Sequence, residues 1–154
     1  MSIYTTLRSL GWAVFVIASS IALAHVTNES QSAAGLTVDL GIVPAETLRG
    51  RPEEDAVRQM HGGVPSGKSM YHVMVAIFDE KTGQRVTSAQ VRARVEEVGL
   101  TSEEKALQPM QVANAVTYGN FFRMAGSGTF RITVQIRLPD TTRMTELQFE
   151  HRHP

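Results

Sequence analysis

The chain has 154 residues, with fifteen basic and fifteen acidic side chains, five His, seven Met and no Cys. The balanced charge carries no concentrated basic surface, which excludes nucleic acid as a natural partner. The absence of Cys excludes disulfides, thiolate metal sites and dithiol redox motifs, so Met and His are the side chains left to hold a soft or borderline metal.

The first 24 residues have the layout of a secretory signal peptide. Arg8 lies in a short leading region, and the apolar run Leu10–Ala24 ends in the small-x-small triplet Ala22-Leu23-Ala24. The run is shorter than an ordinary membrane span, and we predict cleavage after Ala24, with an uncleaved anchor as the alternative. Both interpretations place the body of the chain outside the cytoplasm, in the periplasm or secreted.

The segment that follows, His25–Ala34, is polar, small and without periodicity, and we predict a flexible leader there. Cleavage after Ala24 would expose the amine and imidazole of His25, which together can chelate Cu(II). Because flexible residues follow it, a weak adventitious site is favoured over a dedicated one. Residues 35–154 then form one domain.

Alternation with period two over the remaining chain predicts β-strands with one buried face. The predicted strands are, in chain order, Leu36–Val43, Met70–Asp79, Ala89–Val98, Lys105–Ala113, Asn120–Ala125, Gly128–Leu138 and Thr145–His153. Within the irregular stretch Ala45–Ser69 we predict a helical turn at Pro52–Gln59, and a single turn at Thr101–Lys105. Seven short strands predict an all-β, immunoglobulin-like two-sheet β-sandwich, with an up-and-down barrel as the alternative.

Three side chains with ligand chemistry share one face of the strand Met70–Asp79. Met70, His72 and Met74 lie at positions i, i+2 and i+4, opposite an apolar set that begins with Tyr71 and Val73. The preceding loop adds the sequence Met60-His61-Gly62-Gly63. The alternative interpretation is that the Met residues fill apolar gaps and that His72 is solvated.

The other motifs indicate little chemistry. His151 and His153 share a face of the last strand and could share a metal, although we favour a solvated tail. The acidic pairs Glu96-Glu97 and Glu103-Glu104 are most simply solvated charge. The sequence holds no phosphate-binding loop, nucleophile elbow or zinc-protease motif, and we predict no catalytic site.

The stretch Leu107–Leu138 resembles the periplasmic metal-binding proteins that accompany a high-affinity ferrous-iron permease. The shared features are Pro109-Met110, Tyr118-Gly119, Asn120, Met124, Gly126-x-Gly128 and Phe130, in that order. This resemblance implies an immunoglobulin-like sandwich, commonly a homodimer, that binds copper and iron near a sheet surface and serves iron uptake. A looser resemblance links Tyr71–Gly83 to small secreted domains of the YtkA and FixH type, some of which are tied to copper delivery for oxidase assembly.

The ligand set that the resemblance implies is only partly present. Met110 stands where the family has a metal-binding Met, but Thr117 stands where the family has a ligand His. The family's His-x-Glu would fall around Thr37–Asp39, where His is absent. A surviving site must therefore be rebuilt, and we predict that Met110 is joined by His72, His61 or Met124.

These observations predict an exported protein of periplasmic copper or iron homeostasis, which passes its metal to a membrane permease or another metal-accepting protein. Thioethers suit Cu(I) and imidazoles suit Cu(II) or iron, and the scarcity of hard oxygen ligands favours copper. The alternative is an immunoglobulin-like accessory domain that binds no metal and docks on a permease or an oxidase assembly factor.

Overall fold

A computed structural model describes residues 27–51 and 62–152, and it confirms the all-β class. The strands are β1 (Thr27–Ala33), β2 (Leu36–Pro44), β3 (Met70–Asp79), β4 (Gln90–Glu97), β5 (Ser102–Val112), β6 (Ala115–Arg123), β7 (Thr129–Arg137) and β8 (Met144–Arg152), with a 3-10 helix at Ala45–Leu48. All seven predicted strands are present, and β1 is an additional one. None of the helical structure in this part of the chain has the length and apolarity needed to cross a membrane.

The strands form an antiparallel array in the order β1-β2-β3-β6-β5-β4-β7-β8. Strand β5 joins the two sheets. Its residues up to Leu107 pair with β4, whereas its residues from Gln108 onward pair with β6. Sheet A therefore contains β1, β2, β3, β6 and the end of β5, and sheet B contains the start of β5, β4, β7 and β8. Strands β1 and β8 also meet, where Gln31 donates a 2.8 Å hydrogen bond to the carbonyl oxygen of Gln148. The molecule is the predicted two-sheet sandwich, closed almost into a barrel.

Alternate residues of β2, β3, β4, β6, β7 and β8, together with Leu107 of β5, contribute to the core between the sheets. This core contains Leu36, Val38, Leu40, Ile42, Val73, Val75, Ile77, Val91, Ala93, Val95, Leu107, Tyr118, Phe122, Met124, Phe130, Ile132, Val134, Ile136, Leu147 and Phe149. Burial of a large apolar side chain contributes about 1.5–3 kcal/mol, so this single core supplies the main stabilisation of a chain that has no disulfide.

Two local predictions are wrong. The flexible leader is a strand over Thr27–Ala33, which pairs with β2 through a tight turn at Ala34 (φ 53°) and Gly35 (φ 80°). Two successive residues with positive φ match the twist of a hairpin. Because Ala, and not a typical turn residue, stands at the first position, the sequence does not indicate this turn. The turn predicted at Thr101–Lys105 is the start of β5, which pairs with β4 there. The signal peptide, His25 and the helical turn at Pro52–Gln59 lie outside the described residues.

The turn after β3 is fixed by the carboxylate of Asp79. Its Oδ1 accepts hydrogen bonds from the backbone N–H of Thr82 (2.8 Å), the hydroxyl of Thr82 (2.9 Å) and the backbone N–H of Lys81 (3.1 Å). The hydrogen bonds from Thr82 hold the pKa of Asp79 below its ordinary value of 3.8. The turn orients the chain so that Arg85 returns beside Phe78.

Candidate metal centre

The outer face of sheet A is covered by the connection between β2 and β3, of which residues 45–51 and 62–69 are described. This cover and the sheet enclose a second apolar cluster outside the main core, and its buried members are Val43, Ala45, Leu48, Met110 and Phe121. We call this set the outer cluster. Side chains that would be solvated on a free sheet face are buried beneath it.

His72 lies on β3 under this cover and has a relative exposure of 0%. Its ring packs on Phe121, the directly opposite residue of β6, with centroids 4.6 Å apart and planes tilted by 35°. The predicted shared face of Met70, His72 and Met74 is confirmed, since Val73 and Val75 point into the main core instead. The alternative of a solvated His72 is wrong because the connection buries the strand face.

Met110 of β5 approaches the same place from the other side, and it is 4% exposed. Gly119 of β6 lies between the two. A Cβ atom built on Gly119 would lie 2.8 Å from Nε2 of His72 and 3.0 Å from Sδ of Met110. An imidazole nitrogen and a thioether sulfur therefore lie on either side of one point above the Gly119 backbone. The distance between Nε2 and Sδ cannot exceed the sum of their distances to that point.

This pair is a donor set for a soft or borderline ion. Met70 and Met74 add two half-buried thioethers to the same face. Met74 stands opposite Gly119 in register, but its methyl group lies 3.6 Å from a Cβ built on Gly41 of the neighbouring β2. Within residues 27–51 and 62–152, no group of three or more His, Asp or Glu side chains is placed to hold a metal. The centre is accordingly rich in sulfur and poor in carboxylate.

Of the other two predicted ligands, Met124 lies away from this pair and His61 is not among the described residues. Met124 is buried in the main core and continues the inward parity of Tyr118 and Phe122. Sheet A therefore separates Met124 from Met110. His61 lies outside the described residues, and its role stays a prediction.

Thr117 lies directly opposite Met110, at the position where the resemblance places a ligand His. Its hydroxyl oxygen accepts a 3.3 Å hydrogen bond from Nη1 of Arg85, and the same nitrogen donates a 2.8 Å bond to the carbonyl oxygen of Val116. The guanidinium carbon of Arg85 lies 4.6 Å from the centroid of the Phe78 ring. A fixed positive charge therefore borders the place of the missing imidazole.

His151 lies elsewhere and is not a solvated tail residue. It keeps the inward parity of Leu147 and Phe149, is buried, and has its ring centroid 6.4 Å from that of Tyr71. The interpretation as a solvated tail is wrong because β8 continues to Arg152 and holds His151 at the end of the sandwich core. His153 lies outside the described residues.

Sequence reasoning missed Gly119 and Phe121 as parts of the centre, although Gly119 belongs to the Tyr-Gly pair. It also treated Glu97 as solvated charge. The Glu97 carboxylate lies over the turn after β6, where one of its oxygens is 3.0 Å from a Cβ built on Gly126 and also lies against Gly128. The Glu97 carboxylate leaves too little room for a side chain at Gly126 or Gly128, which explains the Gly-x-Gly motif.

The geometry defines a nearly closed, antiparallel β-sandwich with a buried His–Met pair on the outer face of one sheet. Neither family models nor curated proteins match the sequence, but solved structures share the fold. A DUF4426 family protein from Pseudomonas aeruginosa PAO1 has a TM-score of 0.65 and 14% identity, over 82% of this chain and 94% of its own.

FetP from uropathogenic Escherichia coli strain F11 is also similar. A copper-bound variant gives a TM-score of 0.63 at 15% identity, over 85% of this chain and 97% of FetP. FetP as isolated after expression in the periplasm gives 0.62 at 15%, over 86% and 97%. These values show a shared fold and agree with the resemblance noted in Leu107–Leu138.

Proposed function

We propose that this chain is an exported metal-binding protein that holds copper between His72 and Met110 and transfers it to a partner in the periplasm. The observation that carries the proposal is the convergence of Nε2 and Sδ on one point above Gly119. Because Gly119 has no side chain, the imidazole nitrogen and the thioether sulfur can both face one ion at this point.

Copper is favoured by the donor chemistry. Soft thioether ligands select Cu(I), imidazole accepts several transition metals, and harder ions prefer carboxylate and water. His72 and the outer-cluster residue Met110 offer an imidazole and a thioether. Within the described residues, no group of three or more His, Asp or Glu side chains is placed to hold a harder ion. The copper-bound FetP variant with the same fold adds support.

Transfer to a partner is supported by the surroundings of the pair. Met70 and Met74 provide further sulfur atoms on the same strand face, so an ion can exchange one ligand at a time. A groove lined by Val64, Pro65, Met70 and Phe121 opens beside the outer cluster. We propose that a membrane permease or another metal acceptor receives the ion at this groove.

The test is a competition titration of the mature protein with Cu(I), Cu(II) and Fe(II) against chromogenic chelators. We expect a copper site tighter than about micromolar, a binding free energy of roughly 8 kcal/mol. His72→Phe keeps the ring packing and removes the nitrogens, while Met110→Leu keeps the volume and removes the sulfur. Each should weaken copper binding about 100-fold or more, because loss of a group that only supports a ligand already costs about 10- to 100-fold.

Met124→Leu is the matched control, because it removes a buried thioether on the opposite side of sheet A. Its copper affinity should equal that of the wild-type protein. Absence of any site tighter than about micromolar, or an unchanged affinity after loss of both His72 and Met110, would reject the metal proposal.

A negative titration would favour the accessory-domain alternative. The turn between β4 and β5 exposes two large apolar side chains, Val98 (57%) and Leu100 (68%). Exposed apolar side chains at a loop tip can contribute to a protein interface. Loss of partner binding in a Val98→Ser and Leu100→Ser double variant would then identify this turn as the contact.

A further inference from the structure

We infer that Arg85 makes the His72–Met110 site selective for a singly charged soft ion, Cu(I), over divalent ions. This inference rests on the proposed function, because it concerns the ion that the same site prefers. It assigns a role in specificity to a residue that contributes no ligand.

The position of Arg85 follows from three contacts. Its Nη1 donates to the hydroxyl of Thr117 at 3.3 Å and to the carbonyl of Val116 at 2.8 Å, and its guanidinium carbon lies 4.6 Å from the Phe78 ring centroid. Thr117 and Met110 are direct cross-strand partners, and such partners have Cβ atoms about 5 Å apart. These lengths place the charge on the order of 10 Å from the Met110 sulfur.

Within the described residues, no ion pair neutralises this charge. The ion pairs found within residues 27–51 and 62–152 join Arg92 to Glu104, Lys105 to Glu103 and Arg131 to Glu96, and none includes Arg85. Arg85 is half-buried, which weakens the screening of its field by water and salt. Its positive charge consequently acts on any cation bound beside Met110.

Repulsion by a fixed charge increases with the charge of the bound ion. At a separation of about 10 Å and an effective dielectric constant of about 20, each elementary charge on the ion lowers its affinity roughly tenfold. The repulsive free energy is therefore twice as large for a divalent ion as for Cu(I). The donor set acts in the same direction, since a thioether favours Cu(I) whereas Cu(II) prefers a tetragonal set of nitrogen and oxygen ligands.

The experiment compares two variants of the mature protein. Arg85→Gln removes the charge, and Arg85→Lys keeps it. Dissociation constants are measured for Cu(I) and Ag(I) as soft monovalent ions, and for Cu(II) and Co(II) as divalent ions. We expect the ratio of divalent to monovalent dissociation constants to fall about tenfold in Arg85→Gln, mainly through tighter divalent binding, and to change less than about twofold in Arg85→Lys.

The possible results separate the inference from the proposed function. If the wild-type protein binds none of the four ions, the proposed function fails. If it binds copper but Arg85→Gln leaves the ratio unchanged, or if Arg85→Gln and Arg85→Lys change it equally, the role of Arg85 is rejected. Should Arg85→Gln fail to fold in a circular dichroism melt, Arg85→Met keeps an apolar stem on Phe78 and serves as the uncharged variant.

Discussion

The two sheets present outer faces of opposite character, although both use the same alternation to fill the core between them. The outer face of sheet B is a polar ladder in which Arg92 pairs with Glu104 at 2.9 Å and Arg131 with Glu96 at 3.0 Å. The outer face of sheet A is apolar, lies under the β2–β3 connection, and buries His72 completely.

The difference shows that strand parity alone does not decide whether a side chain is solvated. Parity places His72 on an outer face, as it places the more exposed Arg92 and Arg131 on the other outer face. What separates them is the connection after β2, which begins with the buried residues Ala45 and Leu48. A sheet face that is covered by a connection can hold a ligand side chain in an apolar environment, whereas an uncovered face presents charged side chains to solvent.

The largest effect should follow from placing a methyl group at the centre of the covered face. In Gly119→Ala the new Cβ would lie 2.8 Å from Nε2 of His72 and 3.0 Å from Sδ of Met110, so at least one of these side chains must move. We expect copper affinity to fall about 100-fold, as for the loss of a ligand or of its support. Competition titration with Cu(I) measures the change.

Gly41→Ala is the control for this substitution. Gly41 lies on the same face of sheet A, but a Cβ there meets only the Met74 methyl group at 3.6 Å, which is ordinary van der Waals contact. Its copper affinity should stay within about twofold of wild type, because sites without shared contacts act independently. Equal losses in both variants would show that general crowding of the face, and not the point above Gly119, controls binding.

This comparison also shows how far the sequence could predict the molecule. Alternation identified all the strands from β2 to β8, since each has one buried face, and it placed His72 beside Met70 and Met74. It could not place Met124 on the inner face relative to Met110, because Met110 lies on β5 and Met124 directly follows β6. The register between these two strands is set by tertiary pairing. The burial of His72 was equally inaccessible, since it depends on a connection without periodicity.

A second prediction concerns the stability of the covered face. Phe121 is buried against His72 and the outer cluster, and its replacement by Ala should lower the free energy of unfolding by about 3 kcal/mol, as for other buried Phe side chains. Gln148→Ala on the exposed outer face of sheet B should change it by about 0.5 kcal/mol or less. Urea unfolding followed by circular dichroism gives both values.

A loss below about 1 kcal/mol for Phe121→Ala would show that the cover is loosely packed, because a collapsible site has a small cavity cost. The face would then resemble the outer face of sheet B, and the contrast between the two would not hold. A loss similar to that of other core Phe residues would establish that the outer cluster unfolds together with the sandwich.

The smallest effect should come from the polar face. Thr133 of β7 is 1% exposed among the long side chains of sheet B, and its hydroxyl has no hydrogen-bond partner within the described part of the chain. An unsatisfied buried hydroxyl costs about 1 kcal/mol or more, and Val has nearly the same shape and a higher preference for strands. Thr133→Val should therefore raise the free energy of unfolding by about 1 kcal/mol.

Thr133→Ser separates the hydroxyl from the methyl group, because it keeps the oxygen and removes a buried carbon worth about 0.8 kcal/mol. We expect Ser to be less stable and Val more stable than the wild-type Thr in urea unfolding. If the Thr133→Val variant is less stable than the wild-type protein, water reaches the Thr133 hydroxyl. The outer face of sheet B would then be a hydrated surface even where its side chains are buried, in still sharper contrast to the covered face that holds His72.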